Sequence, residues 1–144
     1  LLEEVRTSSR TLLQLRDADG RAYLRFAKAK TFGNRDEDTF EALKAAIESP
    51  LNIMREATIG LELEARAGKH CKGHLLSDLL VVCELLRAAV DGNNRIAQAN
   101  LGAMEDPSLR SQYQDGLDQV QAESRELFRT VEGDILERAK ISNE

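Results

Sequence analysis

GHLLSDLLVVCELLRAAVDGNNRIAQANL, residues 73–101, is apolar on nearly every face of a helical wheel, unlike any other segment of the chain. A helix that is apolar all round is normally enclosed on several sides, so this stretch is expected to be the central rod of an all-helical domain. Polar groups recur inside it at helical spacing. Asp78, Val82, Leu85, Ala89, Asn93, Ile96 and Asn100 step by three or four and share one face. If that face looks into the core, a carboxylate and two amides must find partners there, in the protein or in a ligand. The stripe is the main functional clue.

The rest of the chain fits around such a rod. With 144 residues, 42% hydrophobic and 31% charged, it is long enough for one domain with a real core and too apolar to be disordered. Two prolines and no tryptophan favour helices. A net charge of −5 lacks the basic excess of a general nucleic-acid binder. Charges at Asp78, Glu84 and Arg87 interrupt the longest apolar run, so no membrane span is expected. Two cysteines without metal-finger or redox spacing suit a reducing compartment, with the cytoplasm as default.

Helices are predicted near 2–30, 36–67, 75–103 and 107–140. The first carries an apolar stripe through Leu2, Val5, Leu12, Leu15, Ala22, Phe26 and Ala29. Asp19 falls on that stripe, either as a site residue or as the partner of a neighbouring arginine, while Asp17 points about 160° away. Gly33, Asn34 and the acidic run at Asp36 read as a loop and a helix start. The second stripe is Phe40, Leu43, Ile47, Leu51, Met54, Thr58, Leu61 and Ala65. Pro50 interrupts it, leaving either two helices with Ser49 as N-cap or one kinked helix. Residues 66–74, RAGKHCKGH, are the one basic segment. His70, His74 and Asp78 step by four, but Gly68 and Gly73 interrupt the helix that metal ligation would need, and a solvated basic loop is the plainer reading. Asp106 and Pro107 are a natural N-cap and first residue for the last helix, whose stripe from Leu109 to Ile135 reads as core packing.

LRDADGRAY (15–23), SPLNI (49–53), LSDLLVVCELLRAAV (76–90) and QANLGAMEDPSL (98–109), in that order and spacing, resemble the formimidoyltetrahydrofolate cyclodeaminase and methenyltetrahydrofolate cyclohydrolase family. The resemblance implies an all-α bundle of four to five long helices that forms a homodimer and binds a tetrahydrofolate derivative in a cleft between helices. It implies chemistry on C–N bonds of the carried one-carbon unit, either cyclising a formimidoyl group with release of ammonia or hydrolysing a methenyl bridge. No cofactor beyond the tetrahydrofolate substrate, no metal and no nucleic-acid or membrane partner is expected. Two departures stand out. Family members open on a glycine-rich helix with a Ser-Gly-Gly-Gly motif, so residues 1–144 are expected to be one cyclodeaminase-like domain truncated at its N-terminus. Ile96 also stands where the family commonly has a second Asn one turn before Asn100.

Both reactions pass through a carbon bonded to two nitrogens and need a positioned proton carrier. A carboxylate desolvated on an apolar stripe suits that task, which makes Asp78 the first candidate, Asp19 the second and His74 a relay. Ser77, Asn93 and Asn100 are candidate contacts to the substrate, and Lys69, Lys72 or Arg87 would receive an anionic glutamate tail. A catalytically silent folate-binding relative, or a structural dimer whose polar stripe sets helix register, are the alternatives.

Overall fold

The computed structural model describes residues 1–31 and 37–141. They form four helices, α1 (Leu2–Thr31), α2 (Glu37–Gly68), α3 (Leu75–Leu101) and α4 (Pro107–Ile141), with no strand among the described residues. The predicted spans hold to within two residues. The loop expected at Gly33, Asn34 and Asp36 lies outside the described residues.

The centre of the bundle is α2 and not α3. Only α2 packs against all three other helices, and α1 touches nothing else. Leu43, Ile47, Leu51, Met54 and Leu61 of its predicted stripe are buried, and a second set (Ala42, Ala46, Ala57, Leu63) is buried beside them. This corrects the expectation of an α3 enclosed on several sides. The buried residues of α3 are Leu76, Cys83, Val90, Ala97 and Leu101, a seam whose first four members are spaced by sevens. One seam is what a helix needs to pack against neighbours on one side. The opposite face is left in the open: Val82 is 43% exposed, Leu85 65% and Ile96 48%. The stripe from Asp78 to Asn100 therefore runs along the outer side of α3, grading from exposed at Asp78 to half-buried at Asn93 and Asn100.

Side-chain contacts set the helix directions. Glu4 meets Arg66 and Arg25 meets Asp38, so α1 runs antiparallel to α2. Asn100 bonds to Ala46 and Leu86 packs at Gly60, so α3 is antiparallel to α2 as well. On α4, Tyr113 pairs with Glu48 and Ile135 packs at Gly68, which makes it parallel to α2. Asp106 caps α4 as expected, its Oδ1 accepting from the amides of Ser108 at 2.8 Å and Leu109 at 3.0 Å. Arg110 returns to the carbonyls of Leu101 and Gly102, and Arg138 donates to those of Gly68, Lys69 and Cys71. Carbonyls at the ends of α3 and α2 thereby gain donors their own helices do not supply. Gly73, at φ 58°, turns the chain into α3.

The ambiguity at Pro50 resolves as one helix that continues through it. Proline has no N–H, so the carbonyl four residues earlier, that of Ala46, loses its helical donor. Asn100 of α3 supplies a replacement, its Nδ2 donating to the Ala46 oxygen at 2.8 Å. The amide thus completes a neighbour's interrupted backbone ladder. Removing it strands a carbonyl at a helix contact, at a cost of about 1–3 kcal/mol. Asn100→Ala is expected to lower the unfolding free energy by that amount. In a Pro50→Ala background, where residue 50 can donate again, the same change should cost clearly less; equal costs in a denaturant double-mutant cycle would show that the two residues are uncoupled.

Candidate functional site

Among the described residues α1 and α3 both flank α2 without close backbone approach to each other, and a cleft of about 450 Å³ lies between them. Its floor is Gly60, Leu63, Glu64 and Ala67 of α2, and its walls include Val5, Ser8, Leu12 and Leu13 of α1 and Leu79, Val82 and Leu86 of α3. Gly60 lets α3 come close: a Cβ there would stand 3.0 Å from Leu86 Cδ2. Leu63 is buried at the base, while Leu13 and Val82 stay exposed at the rim.

Glu64 is the unusual residue of this cleft. It is 4% exposed, its carboxylate oxygens are buried, and among the described residues its carboxyl meets Cys83. Burial pushes its carboxyl up to about 7, and the thiol and backbone of neighbouring Cys83 work in the other direction. Cys83 is itself pushed up, first by burial and then by Glu64. A thiol so held is a poor nucleophile at neutral pH. Sequence reading passed over Glu64 because the apolar stripe was followed through Leu61 and Ala65. The signal was present nonetheless, since Ala57, Leu61, Glu64 and Gly68 step by four, three and four along one face.

None of the site residues singled out from sequence lines the cleft. Asp78 is exposed at the start of α3, so the desolvation expected of a core-facing carboxylate is not there. His74 is exposed at the N-cap position and makes no side-chain cap. Ser77 is exposed, and its hydroxyl donates to the His74 carbonyl at 2.7 Å. Lys69 and Lys72 are exposed in the same basic segment, so these five residues share one end of the bundle. Asp19 is half-buried midway along α1. Asn93 donates to the Ala89 carbonyl of its own helix at 2.8 Å, and Asn100 is engaged at Ala46. Arg87 pairs with Glu84 at 2.7 Å and Asp91 at 3.4 Å and lies over the Phe128 ring, 5.3 Å from its centroid.

Helix register separates the two candidate aspartates. Leu79, next to Asp78, packs at Gly68 near the end of α2. Asp19 lies seven residues beyond Leu12, which faces the Gly60–Glu64 floor, and so sits level with the stretch of α2 just after Pro50. About 15 residues of α2 lie between those levels, roughly 20–25 Å at 1.5 Å per residue. Within one chain, Asp19 and Asp78 are not brought together.

These features define an all-α protein with a mainly apolar cleft between two of its helices, Glu64 on the cleft floor and Asp19 and Asp78 outside it. A family model for formiminotransferase-cyclodeaminase matches residues 1–119, through α1, α2, α3 and the first part of α4. The chain belongs to that family. Among curated proteins, none matches it. No helix among the described residues is long and apolar enough to cross a membrane.

Glu64 leaves a measurable signature. A carboxyl whose folded pKa, about 7, lies above its unfolded value near 4.5 binds its proton more tightly in the folded state. Its contribution to stability is complete below pH 4.5 and is lost as pH rises through 7. Glu4, lowered to about 2 chiefly by its bidentate pair with Arg66, acts below this window. Glu64→Gln is therefore expected to gain on the native chain by up to about 3 kcal/mol between pH 5 and pH 8. Parallel denaturant curves that keep a constant difference across that range would contradict this.

Proposed function

We propose that the chain is an enzyme of one-carbon metabolism acting on C–N bonds of a tetrahydrofolate derivative. It either cyclises a formimidoyl group with loss of ammonia or hydrolyses a methenyl bridge. The observation carrying this reading is the family match over residues 1–119. Both reactions require a proton to be given or taken at a nitrogen or at attacking water, and a carboxylate is sufficient for it. Asp78 is assigned that role, with His74 one turn away as relay and Lys69 and Lys72 near enough to receive an anionic tail. Asp19 is assigned to the opposite end of the substrate. The tetrahydrofolate itself is the only small molecule the chemistry needs.

The spacing of Asp19 and Asp78 supports a site shared by two copies. The outer face of α3 carries Val81, Val82, Leu85 and Ile96, all well exposed, with the small residues Ala88, Gly92 and Ala99 exposed among them. An apolar face of this kind, punctuated by small side chains, suits close pairing with its own copy. Two-fold pairing with the α3 helices antiparallel sets the Asp78 end of one chain beside the Asp19 and Asn93 end of its partner. Each dimer then holds two equivalent sites, each drawing one aspartate from either chain.

Asp78→Asn preserves shape but removes the transferable proton, so turnover of methenyl- or formimidoyl-tetrahydrofolate is expected to fall by roughly 10²–10⁴, with the melting temperature little changed. Asp19→Asn should also be strongly impaired. Mixing the two inactive variants and letting subunits exchange should restore about a quarter of native activity, because half the dimers are mixed and each carries one intact site. Full turnover in Asp78→Asn would remove the catalytic assignment. Absence of any recovery on mixing, with exchange verified, would confine each site to a single chain.

A further inference from the structure

We propose that the first half of α3, from Leu75 to Cys83, is a pH-controlled latch, closed while Glu64 is neutral against Cys83 and released when Glu64 ionises. The moving segment carries Ser77 and Asp78, but the inference stands on the core alone and is tested without folate. The buried side chains fall into two clusters that α3 joins end to end. Val90 and Ala97 pack with Ile47 and Met54, whereas Leu76 and Cys83 pack with Leu61 and Val131. The two ends of α3 are also held differently. At its C-terminal end Asn100 bonds to Ala46, and Arg110 returns to the carbonyls of Leu101 and Gly102. At its N-terminal end the chain enters through Gly73 at φ 58°, and His74 makes no side-chain cap. A first turn whose amides lack side-chain acceptors opens more readily than a tethered one.

Glu64 lies at the weaker end. Its carboxylate oxygens are buried, and its carboxyl meets Cys83, which is buried too. The charges around this pair are mainly acidic, since Glu84 of α3 and Glu132 of α4 both act on the Cys83 thiol. Arg87 of α3 is engaged by Glu84 and Asp91, and Glu4 of α1 by Arg66. The polar groups that α1 brings to the cleft beside Glu64 are the hydroxyls of Ser8 and Ser9. No lysine, arginine or histidine pairs with Glu64 among the described residues. An ionised carboxylate held there keeps only what Cys83 offers, and burial makes that costly. Water reaches it at least cost when the Cys83 turn lifts away. The other neighbour, α4, is tied to the same end of α2 by Arg138, which donates to the carbonyls of Gly68 and Lys69.

Amide hydrogen exchange of the whole chain, followed by mass spectrometry and corrected for the intrinsic rate at each pH, reads the latch directly. The Glu64 carboxyl lies at about 7 when buried and near 4.5 once water reaches it, so the closed form binds the proton more tightly. The latch is therefore fully held below pH 4.5 and loosens as pH rises through 7. Between pH 5 and pH 8 the protection of residues 76–83 is expected to fall by roughly 30–100-fold. Residues 90–101, in the other cluster, should change by less than about threefold over the same range. Glu64→Gln should keep residues 76–83 protected at pH 8 and abolish the pH dependence. Glu64→Met, which keeps the side-chain length without the charge, serves the same purpose should the Gln variant not fold. Protection of residues 76–83 that is flat with pH in the native chain overturns the proposal. So does a fall shared equally by residues 90–101, which would mean opening of the whole bundle, or a pH dependence that survives loss of the Glu64 charge.

Discussion

The structure depends on α2 being covered by three other helices. α1 has no other attachment, and α3 and α4 meet each other along a seam that α2 completes. Enclosing one helix this way buries Ile47, Met54 and Leu61 fully, each contributing on the order of 1.5–3 kcal/mol relative to exposure. Neighbours also answer two gaps in the backbone hydrogen bonding of α2. The missing N–H at Pro50 is answered by Asn100, and the terminal carbonyls at Gly68 and Lys69 by Arg138. Tyr113 of α4 donates to Glu48 across the same contact. These polar contacts tie the helices at fixed register, which non-directional apolar packing alone does not do.

Against that background two buried polar groups of α2 stand out among the described residues, the Ser49 hydroxyl and the Glu64 carboxyl. Glu64 sits on the covered face of α2, and Cys83, through its thiol and backbone, is what its carboxyl meets there. A carboxyl that rises to about 7 is poised to change charge near neutrality, a property found more often in functional sites than in structural ones.

α3 has the opposite character. Its inner seam is ordinary, and its outer face keeps large aliphatic side chains in water. Exposed apolar surface on this scale is costly to leave bare. The same face runs from Asp78 to Asn93 and Asn100, so the surface proposed to pair with a second copy also carries the candidate chemistry. The distance between Asp19 and Asp78 is a consequence of helix register, and the proposed pairing is what would close it.

Much of this was legible in the residues. Helical periodicity, the Asp106–Pro107 start of α4 and the Leu109–Ile135 stripe fixed four helices nearly to the residue, because hydrophobic period and caps are local properties. The ordered segments around Asp19, Ser77–Asp78 and Asn100 pointed to the family that the match over residues 1–119 establishes. Which helix lies at the centre was not legible. An all-apolar wheel says that α3 will be covered, but not whether by its own chain or by another. Nor could the sequence separate the amide of Asn100, spent on a carbonyl left bare by a proline fifty residues earlier, from an amide free for a ligand. Glu64 was hidden for the same reason. Periodicity places a carboxylate on a face, and only the packing of three helices decides whether a donor stands opposite it.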